Sequence, residues 1–346
     1  MHLKLKAKTW KTMPNNQDSI VLLAKKSGPT SFSSLRDIKK ALNTTKVGHT
    51  GTLDSFAQGL LVVCTGRLTK LAGNITEFNK VYDAVIKFGE ETDTLEPTGN
   101  IIKTTDLPDL SVLQSVLPQF KGNILQRPPQ YSAIHINGQR ASDLMRQGFD
   151  AKIPEREVTV FDLNLKEYKL NAQNKVLYAL IEFSVSKGTY IRSLARDIGE
   201  KCSSSAHLIG LYRKSVGNFK VEDAAGFSTV PEFTIQNAIS QIDDAKNEEK
   251  FKNNVPNLDL HREIVEKMQP FTEETSLLCG FKNIHLLSAQ NYEDFKNGKN
   301  IHNKAFAEDL FSLEKSAIYA VFFENIFCGL LEKNAEGRIS YKFVIN

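Results

Sequence analysis

The residue best suited to nucleophilic or electrostatic catalysis in this sequence is Asp54. It follows a polar segment that Gly48 and Gly51 bracket, and a loop of this kind can bring its backbone close to a ligand. A carboxylate held there can attack an electrophilic carbon or stabilise positive charge that develops on it. The same Asp could instead cap a short helical turn, so its position alone leaves both roles open.

Arg192 is the cation that such a carboxylate would need beside it. After the alternating run 177–185 the hydrophobic period changes, which predicts a helix with Thr189 as N-cap and with Tyr190 and Arg192 in its first turn. A cation is unfavourable at that end of a helix unless an acid or a phosphate pairs with it. An Arg held against an Asp would keep the acid ionised, whereas a solvated surface Arg is the simpler alternative.

Alternating apolar residues predict the strands that must position these groups. In the segment 81–88 the even positions form one apolar face, and in 177–185 the odd positions do. Upstream, 20–24 is an apolar run of strand length, and a helix capped by Ser34 should follow it. Tyr82 lies on the apolar face of its strand, where it is either a core tyrosine or an aromatic that presents its ring to a ligand.

Three further segments have a different character. The segment 126–152 is irregular and basic, whereas 243–250 is charged and poor in apolar residues, as in a linker or an exposed helix. The last 60 residues favour short strands separated by turn residues. The strand candidates there are 317–323, 326–331 and 339–344.

The charge of the chain is unevenly distributed. Residues 1–230 contain 31 Lys and Arg against 22 Asp and Glu, a net charge of +9, whereas residues 231–346 contain 13 against 18, a net charge of −5. A basic body suits a polyanionic partner such as nucleic acid, and an acidic region does not. The sequence therefore predicts that RNA or DNA would contact the first two thirds of the chain.

Several function classes are excluded by what the sequence does not contain. The four cysteines are far apart, without the spacing of a zinc site or the density of a disulfide scaffold, so we expect reduced thiols, a cytosolic protein and no metal. No apolar run approaches the roughly 18 residues of a membrane span. Because a phosphate loop and a dinucleotide fingerprint are both absent, we also expect no cofactor.

Together these residues resemble the TruB family of pseudouridine synthases. The loop 48–54, followed by 57–61, looks like the signature of that family, and further motifs recur in the family's order over about residues 20–220. These motifs are Lys80-Val81-Tyr82, Gly89 to Thr94, Pro129 to Ala133, Ser186 to Arg192 and Ala206 to Arg213. Two departures concern loop stiffness: Ser55 stands where proline is usual, and Ala24-Lys25-Lys26 replaces the common Asp-Lys-Pro.

The resemblance implies an α/β (α+β) fold with a large mixed, mainly antiparallel sheet flanked by helices. A thumb-like insertion and a small C-terminal β-rich, PUA-like domain would complete it. The division that we expect is an N-terminal extension at 1–19, a catalytic domain at 20–230 with the thumb at about 126–152, a linker or helical segment at 231–280, and the small domain at 281–346.

The resemblance also implies an activity, which is isomerisation of the T-loop uridine at tRNA position 55 to pseudouridine after base flipping. Asp54 matches the family's catalytic aspartate, the nucleophile, and Arg192 matches the arginine that pairs with it. Tyr82 matches the tyrosine that stacks on the target base and is a candidate general base. We expect a cytoplasmic monomer that binds the T-arm of tRNA. The residues expected to bind the uridine are His49, Tyr82, Tyr190 and Leu211.

Two other classes of function would use parts of the same sequence. A tRNA-binding or tRNA-folding chaperone needs the basic body but not the combination of Asp54, Tyr82 and Arg192. A nucleoside glycosidase would also use a carboxylate at C1′, but it would release uracil and would not need the basic thumb. Within the isomerase hypothesis, the sequence leaves open whether Asp54 attacks C1′ or assists departure of uracil while a proton leaves C2′.

Overall fold

The computed structural model describes residues 18–136, 138–148, 153–246 and 257–345. Its strands, β1 to β18 in chain order, are Ser19–Lys25, Val47–His49, Gln58–Thr65, Lys80–Phe88, Glu90–Thr92, Ile101–Thr104, Gly122–Gln126, His135–Ile136, Gln139–Arg140, Arg156–Leu170, Val176–Val185, Ala206–Val216, Phe219–Lys220, Gln269–Pro270, Lys282–His285, Ala317–Phe323, Ile326–Lys333 and Ile339–Val344. Its α-helices, α1 to α9, are Ser31–Ala41, Ala72–Thr76, Leu110–Val116, Ala141–Arg146, Ile191–Lys201, Ile235–Lys246, Leu258–Lys267, Glu273–Leu278 and Ala289–Lys296. Short 3-10 helices lie at Gly66–Leu71, Leu117–Phe120, Val221–Asp223, Phe227–Thr229 and Asn303–Ala305.

One large sheet forms the centre of the molecule. Its strand order is β14-β1-β3-β12-β4-β11-β10-β7, with β2 paired to β3 and β13 paired to β12. Every pairing in this sheet is antiparallel except that of β3 with β12, which is parallel. The expectation of a large mixed, mainly antiparallel sheet flanked by helices is therefore confirmed.

The burial pattern of the strands follows from what covers each face. On β4 and β11 the alternating residues predicted to be apolar pack under α3 and α5, and α6 covers the opposite face. Strands β1 and β3 are buried at every position because both of their faces are covered. On β3, Leu61 and Val63 contact the α1 and α7 side, whereas Leu60 and Val62 face the C-terminal sheet.

The C-terminal sheet has the order β15-β16-β17-β18. The three strands predicted from sequence are present, and β17 extends two residues further than expected, to Lys333. The fourth strand, β15, was not predicted; it is four residues long and pairs parallel to β16. Four residues are too few to establish a period of two, so a strand of this length is difficult to recognise.

Two predicted helix caps are wrong by a few residues. Helix α1 begins at Ser31, and its N-cap is Thr30, whose hydroxyl accepts from the Ser33 amide at 3.1 Å; Ser34 lies inside the helix. Helix α5 begins at Ile191 with Tyr190 in the N-cap position. Thr189 does not cap it, because its hydroxyl instead donates to the Ser186 carbonyl at 3.0 Å and closes the preceding turn.

The segment 126–152 is less irregular than its sequence indicates. It contains the short hairpin of β8 and β9 followed by α4, while residue 137 and residues 149–152 lie outside the described part of the chain. Most of the expected N-terminal extension, 1–17, and residues 247–256 also lie outside it. The described part of 231–280 carries α6, α7 and α8, and the division into domains stays a prediction.

Two general expectations concern the thiols and the membrane. All four cysteines are buried free thiols, as predicted. Within the described ranges, no helix is long and apolar enough to cross a membrane.

Candidate active site

The loop that carries Asp54 connects β2 to β3 and is fixed on both sides of the carboxylate. Before it, the Ser31 hydroxyl accepts from the Leu53 amide at 2.8 Å and donates to the Leu53 carbonyl at 2.9 Å. After it, the Gly28 amide donates to the Ser55 carbonyl at 2.8 Å. Ser31 and Gly28, both upstream of the loop, therefore hold its backbone, so Ser31 is a loop anchor in addition to being the first residue of α1.

Arg213 supports the same loop from β12. Its guanidinium is buried and donates to the Leu60 carbonyl at 2.7 Å, the Gly51 carbonyl at 3.1 Å and the Thr52 carbonyl at 3.4 Å. Gly59 makes this arrangement possible, because it has a φ of +107° and a side chain there would collide with the backbone of Arg213. Strands β3 and β12 can therefore approach closely enough for the arginine to reach the loop.

Lys25, at the end of β1, is a second buried cation behind the loop. Its Nζ donates to the carbonyls of Ala57 at 2.6 Å, Lys26 at 3.0 Å and Ser55 at 3.1 Å. Burial lowers the pKa of Lys25 to about 7, while the negative charge of Asp54 acts in the opposite direction. Lys25 thus holds the loop by hydrogen bonds to its carbonyl groups.

Arg192 pairs with Asp54, as the sequence predicts, and also with a second carboxylate. Its Nη2 lies 3.0 Å from Asp54 Oδ1, and its Nη1 lies 2.7 Å from Glu96 Oε1 and donates to the Thr94 carbonyl at 3.0 Å. The Arg192 side chain is 4% exposed, whereas that of Asp54 is 26% exposed. The guanidinium is therefore behind the carboxylate, and part of Asp54 faces the solvent.

Glu96 gives this cluster a group that titrates near neutral pH. Burial raises the pKa of Glu96 to about 7; the positive charge of Arg192 opposes this shift, and the negative charge of Asp54 adds to it. One guanidinium cannot fully compensate two partly buried carboxylates, so the second acid takes up a proton more readily than an exposed glutamate does.

Glu96→Gln should change how the stability of the protein depends on pH. Folding raises the pKa of Glu96 from 4.5 to about 7, so the folded chain holds a proton in this window that the unfolded chain has lost. The stability that this proton provides is complete below pH 4.5 and is lost as the pH rises through about 7. We expect the free energy of unfolding of the wild type, relative to Glu96→Gln, to be larger at about pH 5 than at about pH 8 in urea titrations.

Glu155→Gln provides the matched control for this experiment. Glu155 also pairs with an arginine, since its Oε1 lies 3.0 Å from Arg127 Nη2, but both side chains are exposed. The difference in free energy of unfolding between the wild type and Glu155→Gln should therefore vary little between the two pH values. If the difference in free energy of unfolding between the wild type and Glu96→Gln were equally independent of pH, the raised pKa of Glu96 would be contradicted.

Tyr82 and Leu211 form part of the apolar wall beside the Asp54 loop. Both are buried in the cluster that contains Leu53, which precedes Asp54, and Ile191, which precedes Arg192. Tyr82 lies on β4 and pairs in register with Arg213 of β12, so the strand that supports the loop also positions this ring. The structure thus brings Tyr82 and Leu211 to the region of the Asp54–Arg192 pair.

Tyr190 is held by residues of β7 and β10, the two strands on either side of the segment 127–155. Its amide donates to Gln126 Oε1 at 2.9 Å, and its carbonyl accepts from Gln126 Nε2 at 3.1 Å. The guanidinium carbon of Arg156 lies 4.9 Å from the centre of its ring, a cation–π distance. Because Gln126 and Arg156 are register partners on β7 and β10, this pair of strands contacts the N-cap residue of α5.

His49 lies on β2 and, within the part of the chain that the structure describes, has no hydrogen bond or ion pair to Asp54. Burial lowers its pKa, and the positive charge of Arg213 lowers it further, so the imidazole is neutral at neutral pH. A neutral ring next to a loop suits contact with a base better than acid catalysis does. In the same described ranges, no group of three or more His, Cys, Asp or Glu residues is arranged to hold a metal ion.

Sequence reasoning missed three residues of this site, namely Glu96, Lys25 and Arg213. Arg213 was recognised only as part of a motif, and Lys25 only as part of a departure from one. Glu96 follows the Gly89 to Thr94 motif by two residues, and the intervening Leu95 has a φ of +60°. A leucine rarely adopts that conformation, so the turn that directs Glu96 at Arg192 has no local signal.

Comparison with known proteins gives matches in sequence and in fold. The model of the TruB family pseudouridylate synthase N-terminal domain matches residues 39–191. tRNA pseudouridine synthase B of Treponema denticola is 50% identical over 236 residues, which cover 64% of this chain and 66% of that protein. The protein of the same name from Borreliella burgdorferi is 42% identical over 209 residues, covering 60% and 73%, and that from Francisella philomiragia is 38% identical over 230 residues, covering 66% and 74%.

Among solved structures, a chain of a Cbf5-Nop10-Gar1 complex matches with a TM-score of 0.63 and 21% sequence identity, over 95% of this chain and 85% of that one. An H/ACA RNP bound to a substrate RNA containing 2′-deoxyuridine matches with a TM-score of 0.62 and 20% identity, over 96% and 86%. At this level of identity the match concerns the fold alone.

Proposed function

This chain belongs to the TruB family of tRNA pseudouridine synthases, and from that premise we propose that it converts the T-loop uridine at tRNA position 55 to pseudouridine at Asp54. The observation that carries the proposal is the pairing of a partly exposed carboxylate with a buried guanidinium, at 3.0 Å. The charge of Asp54 is available to a substrate on its solvent-exposed side, while its counter-ion is buried behind it.

The reaction requires that the N1–C1′ glycosidic bond breaks and that a C5–C1′ bond forms. Bond breaking places positive charge on C1′, and an ionised Asp54 next to it lowers the barrier. Asp54 attacks C1′ directly, or it assists departure of uracil while Tyr82 accepts a proton from C2′. In the first route the bond between Asp54 and C1′ breaks as C5 bonds to C1′, and in the second C2′ regains its proton from Tyr82 as that bond forms. In both, the uracil turns, C5 loses its proton to solvent and N1 takes one up, so the product is an isomer of the substrate.

Arg192 and Glu96 act on Asp54 and not on the substrate. The guanidinium is the counter-ion of Asp54 and fixes one carboxylate oxygen by a hydrogen bond. Glu96 and the Thr94 carbonyl hold the other side of the same guanidinium. This arrangement supports an aspartate that is charged and oriented before the substrate arrives.

Binding must offset the cost of extruding the uridine from the T-loop, which amounts to a few kcal/mol. Stacking on the Tyr82 ring would contribute about 1–3 kcal/mol, and His49, Tyr190 and Leu211 would form the rest of the pocket. The basic body and the thumb would bind the phosphates of the T-arm. We expect the protein to act as a monomer in the cytoplasm.

The proposal is tested by incubating the full chain with tRNA that carries tritium at C5 of its uridines. Formation of pseudouridine releases tritium to water, and mapping of the modified position should place it at the T-loop uridine. A tRNA with cytidine at that position is the control and should release none. Free uracil would indicate the glycosidase, whereas binding without tritium release would indicate the chaperone, and either result would overturn the proposal.

A further inference from the structure

Helix α1 exposes a large aromatic side chain next to the candidate active site. Phe32 is 73% exposed, and Lys39 Nζ lies 5.3 Å from the centre of its ring. Lys46, which is exposed, follows between α1 and β2. We call Phe32, Lys39 and Lys46 the α1 edge.

Hydrogen bonds place this edge beside the Asp54 loop. Ser31 bonds to both backbone groups of Leu53, at 2.8 and 2.9 Å. Phe32 directly follows Ser31, and Asp54 directly follows Leu53. Phe32 and Asp54 are therefore each adjacent in sequence to a residue of the Ser31–Leu53 contact. The α1 edge therefore begins at the rim of the site and continues along the helix away from it.

The direction of Phe32 follows from the helix geometry. Asp37 faces α7, since its Oδ1 lies 3.0 Å from His261 Nε2. Phe32 is five residues earlier, and at about 100° per residue it is turned roughly 140° away from Asp37. Leu35 and Ile38 occupy the core side, so Phe32 faces solvent on the side of α1 that is turned away from α7.

Exposure alone does not distinguish Phe32, because single exposed aromatics are common on protein surfaces. Phe311 is 82% exposed and lies beside Glu308 and Asp309, a setting that would repel a polyanion. Phe32 instead combines an accessible ring with a lysine, Lys39, beside it and continuity with the Asp54 site. An aromatic ring next to cations is the pattern that binds single-stranded nucleic acid, in which bases stack and phosphates are neutralised.

We propose that the α1 edge binds an unstacked T-loop nucleotide next to the target uridine. Phe32 stacks on its base, and Lys39 and Lys46 bind the adjoining phosphates. This assignment rests on the proposed function, because it takes the RNA to be the one whose uridine enters the Asp54 site.

The test measures equilibrium binding of a T-arm stem–loop RNA to the full chain carrying Asp54→Asn, so that no turnover occurs. Adding Phe32→Ala should raise Kd about 5- to 10-fold, the low end expected for loss of one base–aromatic stack. Phe32→Trp should restore binding, because it keeps an aromatic face, and Phe32→Leu should not. Phe311→Ala is the matched control and should leave Kd unchanged.

Two further measurements separate stacking from charge. Lys39→Gln should reduce the slope of log Kd against log salt by about one unit, whereas Phe32→Ala should leave that slope unchanged. With a duplex stem that lacks the loop, Phe32→Ala should have no effect. Equal affinities of Phe32→Ala and Phe32→Trp for the stem–loop would overturn the inference while leaving the pseudouridine assay to decide the function.

Discussion

Asp54→Asn should reduce pseudouridine formation at least about 1000-fold while leaving tRNA binding nearly unchanged. Asparagine has the same shape and still offers an oxygen to Arg192, 3.0 Å away in the wild type, so the loop should keep its structure. What is lost is the negative charge next to C1′, which is needed only when the glycosidic bond breaks. Single-turnover tritium release measures the first effect, and equilibrium binding of tRNA measures the second.

Asp109→Asn provides a control with the same change of side chain. Asp109 is an exposed carboxylate whose Oδ1 lies 2.9 Å from Lys175 Nζ, so its substitution should leave both measurements unchanged. If Asp54→Asn turned over at the wild-type rate, Asp54 would lose its proposed role, and Tyr82 would have to act without it.

Arg192→Ala should impair activity and stability together. It removes the guanidinium that lies between Asp54 and Glu96, so two partly buried carboxylates would face each other without a counter-ion. Breaking a buried ion pair by removing one partner costs about 3–5 kcal/mol of folding free energy. Denaturant unfolding should show this loss, and turnover should fall at least about 100-fold under conditions where the variant is folded.

The exposed pair of Arg127 and Glu155 again provides the control. Arg127→Ala should change stability by less than about 0.5 kcal/mol, because its partner remains solvated. Glu96→Gln added to Arg192→Ala should recover part of the lost stability, since it removes one of the two unpaired charges. Normal turnover by Arg192→Ala, or no recovery of stability in the double variant, would contradict the conclusion that Arg192 pairs with both Asp54 and Glu96.

The sequence predicted those parts of the structure that have a local pattern. The alternation in β4 and β11 determines which residues are buried, so Tyr82 was assigned to the correct face. The pairing of Asp54 with Arg192, 138 positions apart, was predicted from the chemistry of each residue and from the family motifs together. The large sheet was expected through the resemblance, since a hydrophobic period does not determine strand order.

What the sequence could not predict depends on contacts between distant segments. Lys25 and Arg213 are buried only because strands from three parts of the chain meet behind the Asp54 loop. The caps of α1 and α5 were assigned wrongly because nearby hydroxyl groups compete, and tertiary hydrogen bonds decide which of them serves the helix. Thr189, for example, is used by a turn.

The way in which the C-terminal sheet packs limits how this chain can change during evolution. Its inner face shares a core with Ile20, Leu22, Leu60 and Val62 of β1 and β3. A lineage that lost this sheet would expose those residues to water as an apolar surface on β1 and on β3, the strand that follows the Asp54 loop. On β18 only the exposed Ser340 and Lys342 lie outside these cores, while the residues of the sheet that face β1 and β3 are constrained together with the strands they cover.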